Sequence, residues 1–232
     1  MASIPESEIK KVARGPKVDV QQRLLRFATE NKQRLIQVLG GIGGVIALGL
    51  AYYFVIHKPN ETKASEALSI ATQALYADST DLALNGNMSQ MGLLGIIEEY
   101  PYTKASNLAQ YYSGIAYLEL GNPTEAIAHL DEFDSDDGVL SSLALNLIAD
   151  AFVELDQLKD AQDYYVQASN DQPNSFLTPF FLRKAATVAE MNEDYLSALS
   201  YYQRIKRDFP NKEDYNELEQ LIGYCEAKIN NQ

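Results

Sequence analysis

Apolar and polar positions change rhythm once along this chain, and the change divides it. From Leu35 to Ile56 twenty-two residues follow one another without a charge. Such a run predicts one helix of about 33 Å, long enough to cross a hydrocarbon core of about 30 Å. Lipid offers backbone groups no partner, so an apolar run of that length is stable there only as a helix. From Glu61 onward apolar residues recur every three or four positions, Gly and Pro fall mainly near breaks, and no stretch alternates like a strand. The pattern predicts an all-α chain: a single N-terminal transmembrane helix, a stack of helical hairpins, and a C-terminal capping helix.

The apolar run exceeds the ~7–15 residues of a signal-peptide core, and no small-x-small cleavage site follows it. It reads as a retained anchor over residues 35–57. Residues 1–34 carry eight basic and four acidic side chains, whereas only Lys58 and Lys63 lie close after the span. Positive flanks stay on the cytoplasmic side, which puts the N-terminus inside and exports residues 58–232. Within the tail, Val20, Leu24, Phe27 and Ala28 share one side of an expected amphipathic juxtamembrane helix. Inside the span Gly40 and Gly44 form a G-x-x-x-G, and Gly43, Ala47 and Ala51 repeat small residues every four. Such a stripe suits close approach of another membrane helix.

The exported part is self-similar at a period of about 35 residues, the sign of a helical solenoid. Gly114-Ile-Ala-Tyr117 precedes Gly121-Asn122 and Ala126 through Leu130. Ala149-Asp-Ala-Phe152 precedes Ala161 through Tyr165, and Ala186-Thr-Val-Ala189 precedes Ala198 through Tyr202. Ala126, Ala161 and Ala198 are spaced by 35 and 37. Small residues at 114, 149 and 186 on a first helix, and at 126, 161 and 198 on a second, let the two touch, and larger neighbours fill the remaining space. Gly121 supplies a helix-ending turn, and Pro173 and Pro210 stop the second helices. This pattern resembles the tetratricopeptide repeat (TPR), with Gln110 and Leu145 where a large residue is usual in that family and Asp156 where a turn glycine is common. Repeats are expected at about 103–136, 138–173 and 175–210. A degenerate hairpin over 61–101 precedes them, with helices at 61–78 (stripe Ala64, Leu68, Ala71, Leu75) and 88–99. A capping helix is expected over 212–230, with Leu218, Leu221, Ile222, Cys225 and Ile229 on its apolar side.

Charge narrows the chemistry. Residues 57–232 carry a net −17 within a chain of −13. A domain so acidic repels phosphate backbones, which excludes nucleic acid as a partner. The lone Cys225 reads as a buried small hydrophobe, and His57 and His129 stand apart. There is no glycine-rich phosphate loop and no His-Glu-x-x-His, and Glu98-Glu99 and Asp136-Asp137 read as solvated surface. No enzyme activity, metal or cofactor is expected. The chain reads instead as a binding scaffold whose first helices line a groove. The register assigns that groove Leu108, Tyr111, Ile115, Asn146, Asp150, Phe180, Arg183 and Thr187.

A basic tail, one glycine-rich span and an acidic exported TPR domain together resemble the YfgM-type ancillary subunits of the bacterial Sec translocon. Leu24-Leu25-Arg26-Phe27-Ala28-Thr29-Glu30-Asn31-Lys32 resembles that family's lead-in to the span, and Ala64-Ser65-Glu66-Ala67 its first exported helix. The resemblance implies a bacterial inner-membrane protein with a periplasmic C-terminal domain. As partners it implies SecYEG, a PpiD-like periplasmic chaperone and emerging secreted polypeptides. An adaptor for another envelope complex, in division or outer-membrane assembly, fits the same features. A cytoplasm-facing receptor for acidic chaperone tails fits less well, because the groove offers Arg183 but no lysine cluster.

Overall fold

The computed structural model describes Phe27, residues 29–210 and residues 215–231. The chain divides after Ile56 into two units, Met1–Ile56 and His57–Gln232. In the first, helix α1 runs from Lys32 to Tyr52 and is followed by a π-helical turn, Tyr53–His57. Residues 36–56 are all exposed, including Ile36, Val38, Leu39, Ile42, Val45 and Leu48. Apolar side chains displayed all round a helix are costly in water and suit lipid. The helix is long and apolar enough to cross a membrane. A Cβ at Gly40, Gly43 or Gly44 would meet nothing within 4 Å, and Ala47 and Ala51 are exposed with them. The amphipathic helix expected around Val20, Leu24, Phe27 and Ala28 lies, apart from Phe27, outside the described residues.

The second unit is all-α. It opens with α2 (Lys58–Tyr76), which has Pro59 in its first turn and buries Ala64, Leu68, Ala71 and Leu75. The helix expected over 88–99 starts later, as α4 (Leu93–Glu99), and an additional short helix, α3 (Thr80–Asn85), precedes it. The loop between them explains the late start. Gly86 sits at φ 69, and a Cβ there would fall 2.4 Å from the Gly92 nitrogen. Only bare backbone passes itself so closely. Asn87 Oδ1 accepts from the backbone N–H of Ser89 at 2.7 Å and of Gln90 at 3.0 Å, which sets the turn.

Three hairpins and a last helix follow: α5 (Lys104–Glu119) with α6 (Pro123–Asp131), α7 (Gly138–Glu154) with α8 (Leu158–Asp171), α9 (Leu177–Met191) with α10 (Tyr195–Asp208), and α11 (Tyr215–Asn230). Each helix packs on its chain neighbours, and α8 packs on both α7 and α9. The repeat positions behave as small and large complements. A Cβ on Gly114 would lie 2.3 Å from Leu130 Cγ, so α5 and α6 meet only because position 114 has no side chain. Ala149 and Ala161 share a buried cluster with Tyr165, and Ala186 and Ala198 share one with Tyr202. Helix α11 covers the end of the stack with Leu218, Ile222 and Cys225, and burial pushes the Cys225 thiol pKa up.

The turns between paired helices repeat one hydrogen-bonded cap. Asp78, Gly121, Asp156 and Glu193 all adopt left-handed backbone, at φ 54, 71, 57 and 58. After each, the next N–H reaches back five residues: Ser79 to Ala74, Asn122 to Tyr117, Gln157 to Phe152 and Asp194 to Ala189, at 2.8–3.0 Å. This is the Schellman arrangement, which satisfies the last carbonyls of a helix. The place of the turn glycine is thus kept at Asp156 and Glu193 by side chains that tolerate φ > 0 less well. Other ends are closed by side chains: Thr103 Oγ1 accepts from Ser106 N, Asp137 Oδ1 from Val139 N and Asp194 Oδ1 from Ser197 N.

The shared cap predicts opposite effects at equivalent positions. Gly121→Ala should lower stability and Glu193→Gly should raise it, each by about 1 kcal/mol, since the surroundings of Gly121 leave room for a methyl and only backbone preference changes. Thermal melts of the full-length chain in detergent, followed by circular dichroism, check both signs.

Candidate functional site

The first helices of the hairpins, α5, α7 and α9, carry the eight groove positions, and the structure gives those positions unequal roles. Leu108 and Ile115 are half-buried and pack against the core formed by α2, α3, α4 and α5. Tyr111, on the same face of α5, is half-buried in a different cluster, 5.2 Å from the Phe133 ring and 5.6 Å from Tyr112 between ring centroids. Burial, then the neighbouring Tyr76, raises its phenol pKa. On α5 the register therefore selects packing residues rather than an open stripe.

On α7 the i,i+4 pair Asn146 and Asp150 is brought together, with Asn146 Nδ2 donating to Asp150 Oδ2 at 3.2 Å. Asn146 is itself buried. Their remaining acceptors are taken from two other helices. Lys184, on α9, donates to Asn146 Oδ1 at 3.0 Å and to Asp150 Oδ1 at 2.5 Å. Tyr165, buried on α8, donates its hydroxyl to Asp150 Oδ1 as well. The Lys184 ammonium also lies 4.9 Å from the centre of the Tyr165 ring and 5.3 Å from that of Phe180, a cation–π arrangement. Burial, followed by the hydrogen bond to Asp150, holds the Tyr165 phenol pKa far above its ordinary value, so it stays a donor. One lysine thus joins three helices of two successive repeats.

On α9, Arg183 forms a 2.9 Å ion pair with Glu217 of α11, and Thr187 Oγ1 donates to the Arg183 carbonyl at 3.0 Å. Phe180 is half-exposed, and Phe176 at the helix N-cap is more so. Both border a cavity of about 330 Å³ whose walls include Pro179, Ile205, Phe209 and Leu218. Sequence reasoning missed Lys184, Tyr165 and Phe176. A signal was present for the first: Lys184 follows Asp150 by 34 residues, and Glu217 follows Arg183 by 34. Opposite charges one repeat apart meet across adjacent first helices, as charges four apart meet along one helix. Gln110, unusual for its place, is matched by His129, whose Nδ1 lies 2.6 Å from Gln110 Oε1 while its ring stacks on Tyr117. Burial lowers the His129 pKa.

The bridging lysine has a measurable consequence. Lys184→Met keeps the chain length but removes the charge, and should cost about 1–2 kcal/mol, given that the pair is about a third exposed. In a double-mutant cycle with Asp150→Asn, read by urea denaturation, the coupling should exceed ~0.5 kcal/mol. Additive single effects would show that the tie does not join the repeats.

Residues 108–136, from within α5 through α6 and the loop after it, match the tetratricopeptide repeat family. No curated protein matches the chain. The matched segment holds Gly114, Gly121, Ala126 and Leu130, the positions that close the first full hairpin, and the two hairpins after it repeat them at equivalent places. The chain is a TPR-containing protein with an N-terminal apolar helix.

Proposed function

We propose that this protein is a membrane-anchored, non-enzymatic TPR scaffold at the Sec translocon. In this reading it binds SecYEG and a PpiD-like periplasmic chaperone and assists secreted proteins as they emerge. A TPR stack implies protein partners, and one observation carries the rest. An apolar helix with its described side chains exposed leads into stacked hairpins whose first helices keep Phe176 and Phe180 accessible. The net positive residues 1–34 favour a cytoplasmic N-terminus, and the resemblance to translocon-associated subunits supplies the partner set. Anchoring acts by raising effective concentration: a groove held beside a channel exit meets each emerging segment without a diffusional search. The span would contribute lateral contact through Gly40, Gly43, Gly44, Ala47 and Ala51, where small side chains permit close helix approach.

Affinity purification of the tagged full-length chain from detergent, with mass spectrometry, tests this beside a variant whose span is a neutral polyleucine helix. Channel subunits and a periplasmic chaperone should be recovered with the native span and reduced several-fold with the replacement. Recovery of a division or outer-membrane assembly machine instead would overturn the translocon assignment while leaving the scaffold.

A further inference from the structure

Charge is distributed unevenly over the repeat domain. Residues 57–232 carry −17, but helices α5, α7 and α9 together carry only Lys104, Arg183 and Lys184 against Glu119, Asp150, Glu154 and Glu190. Several of these charges are already engaged within the molecule. Lys184 holds Asp150, Arg183 holds Glu217, Glu190 Oε1 accepts from Tyr202 at 2.6 Å, and Glu119 Oε2 accepts from Thr80 at 2.8 Å. The acidity of the domain therefore lies largely off the groove helices.

The same helices leave apolar groups in water. Val139 at the start of α7 is 47% exposed, Phe176 is 81% and Phe180 49% exposed, and Leu143 is half-buried. Val139 and Phe176 are 37 residues apart, as are Leu143 and Phe180, the same offset that relates Ala161 to Ala198. Leu143 and Phe180 occupy matching places on successive first helices, and Val139 and Phe176 matching places at their starts. The cavity of about 330 Å³ opens beside the two phenylalanines, and its walls also include Arg183 and Lys206, each ion-paired to a glutamate of α11. An apolar band with a recess, in a domain otherwise made soluble by carboxylates, marks a contact surface.

We propose that the groove is divided: Lys184 closes its polar part from within, and its open part takes an uncharged, apolar segment of an unfolded polypeptide. This rests on the scaffold reading and names the chemistry of its client. The assignment follows from charge matching. An acidic segment meets the repulsion of the whole domain, and a basic one finds Asn146 and Asp150 already occupied. An apolar segment loses no counter-charge on leaving water and covers Val139, Leu143, Phe176 and Phe180. Asn146 and Asp150, which the pattern of residues offers as partner contacts, are in this arrangement internal struts.

The test uses the full-length chain in lipid nanodiscs, with empty nanodiscs as the blank and fluorescein-labelled short peptides as probes. One peptide is uncharged, with leucine and phenylalanine among serines; two others carry added aspartates or added lysines. The uncharged peptide should bind best, and Phe176→Ser with Phe180→Ser should weaken it about ten-fold or more while the chain keeps its helical circular-dichroism spectrum. Lys184→Met should alter the affinity by less than about three-fold, because the ammonium meets the apolar part only through the Phe180 ring beside it, where a methionine side chain still packs. Wild-type affinity in the phenylalanine variant would overturn the proposal. So would tightening of the lysine peptide by Lys184→Met, which would return Asn146 and Asp150 to the partner. Concentration-dependent dimers lost in the phenylalanine variant would assign the band to a second copy instead. Partners recovered by affinity purification with no peptide bound would sink the client assignment and leave the scaffold standing.

Discussion

A helical hairpin closes only where one helix has given up a side chain opposite a large one on the other. Here that exchange is made three times. Gly114 faces Leu130, and in the next two hairpins Ala149 shares a buried cluster with Tyr165 and Ala186 with Tyr202. The backbones approach until the large group fills the gap, at the packing density of an interior. The polar ends of the two tyrosines then need partners, which they find in Asp150 and Glu190 on the facing first helices. Small-against-large packing thus decides both the stacking of the repeats and which acidic groups are drawn inward.

The groove chemistry follows from that inward pull. Asp150 accepts from Tyr165 below and from Lys184 beside it, so a carboxylate that would otherwise advertise itself to a partner is spent on joining α7, α8 and α9. Beside it these helices leave Val139, Phe180 and, at the start of α9, Phe176 facing water. Because the net negative charge sits mainly elsewhere, the domain stays soluble without placing charge where a client would have to displace it.

Where local rules are broken, geometry supplies the reason. Asp156 and Glu193 hold the left-handed turn that Gly121 holds in the first repeat, because the hydrogen bonds from Gln157 to Phe152 and from Asp194 to Ala189 require it. The second helix of the leading hairpin starts only after Gly92, because the loop from Gly86 brings the two glycines too close for any side chain. The extra helix Thr80–Asn85 is under two turns long, and periodicity over six residues cannot distinguish it from a loop.

The sequence by itself determined the kinds of element and their order. An uncharged run of twenty-two residues can be little other than a helix suited to lipid. The stripe Ala64, Leu68, Ala71 and Leu75, and the small residues at 114, 126, 149, 161, 186 and 198, follow from the 3.6-residue period and from the volume available between paired helices. These are local or single-repeat constraints, visible to any reader of spacing. Tertiary structure decided which groove residues are open. Asn146 and Asp150 look identical in sequence whether they meet solvent or a lysine, and only the register of α9 against α7 brings Lys184 onto them. Leu108, Tyr111 and Ile115 are likewise turned into packing by neighbours from other helices. Helix periodicity fixes which side chains share a face, but what covers that face depends on atoms a whole repeat away.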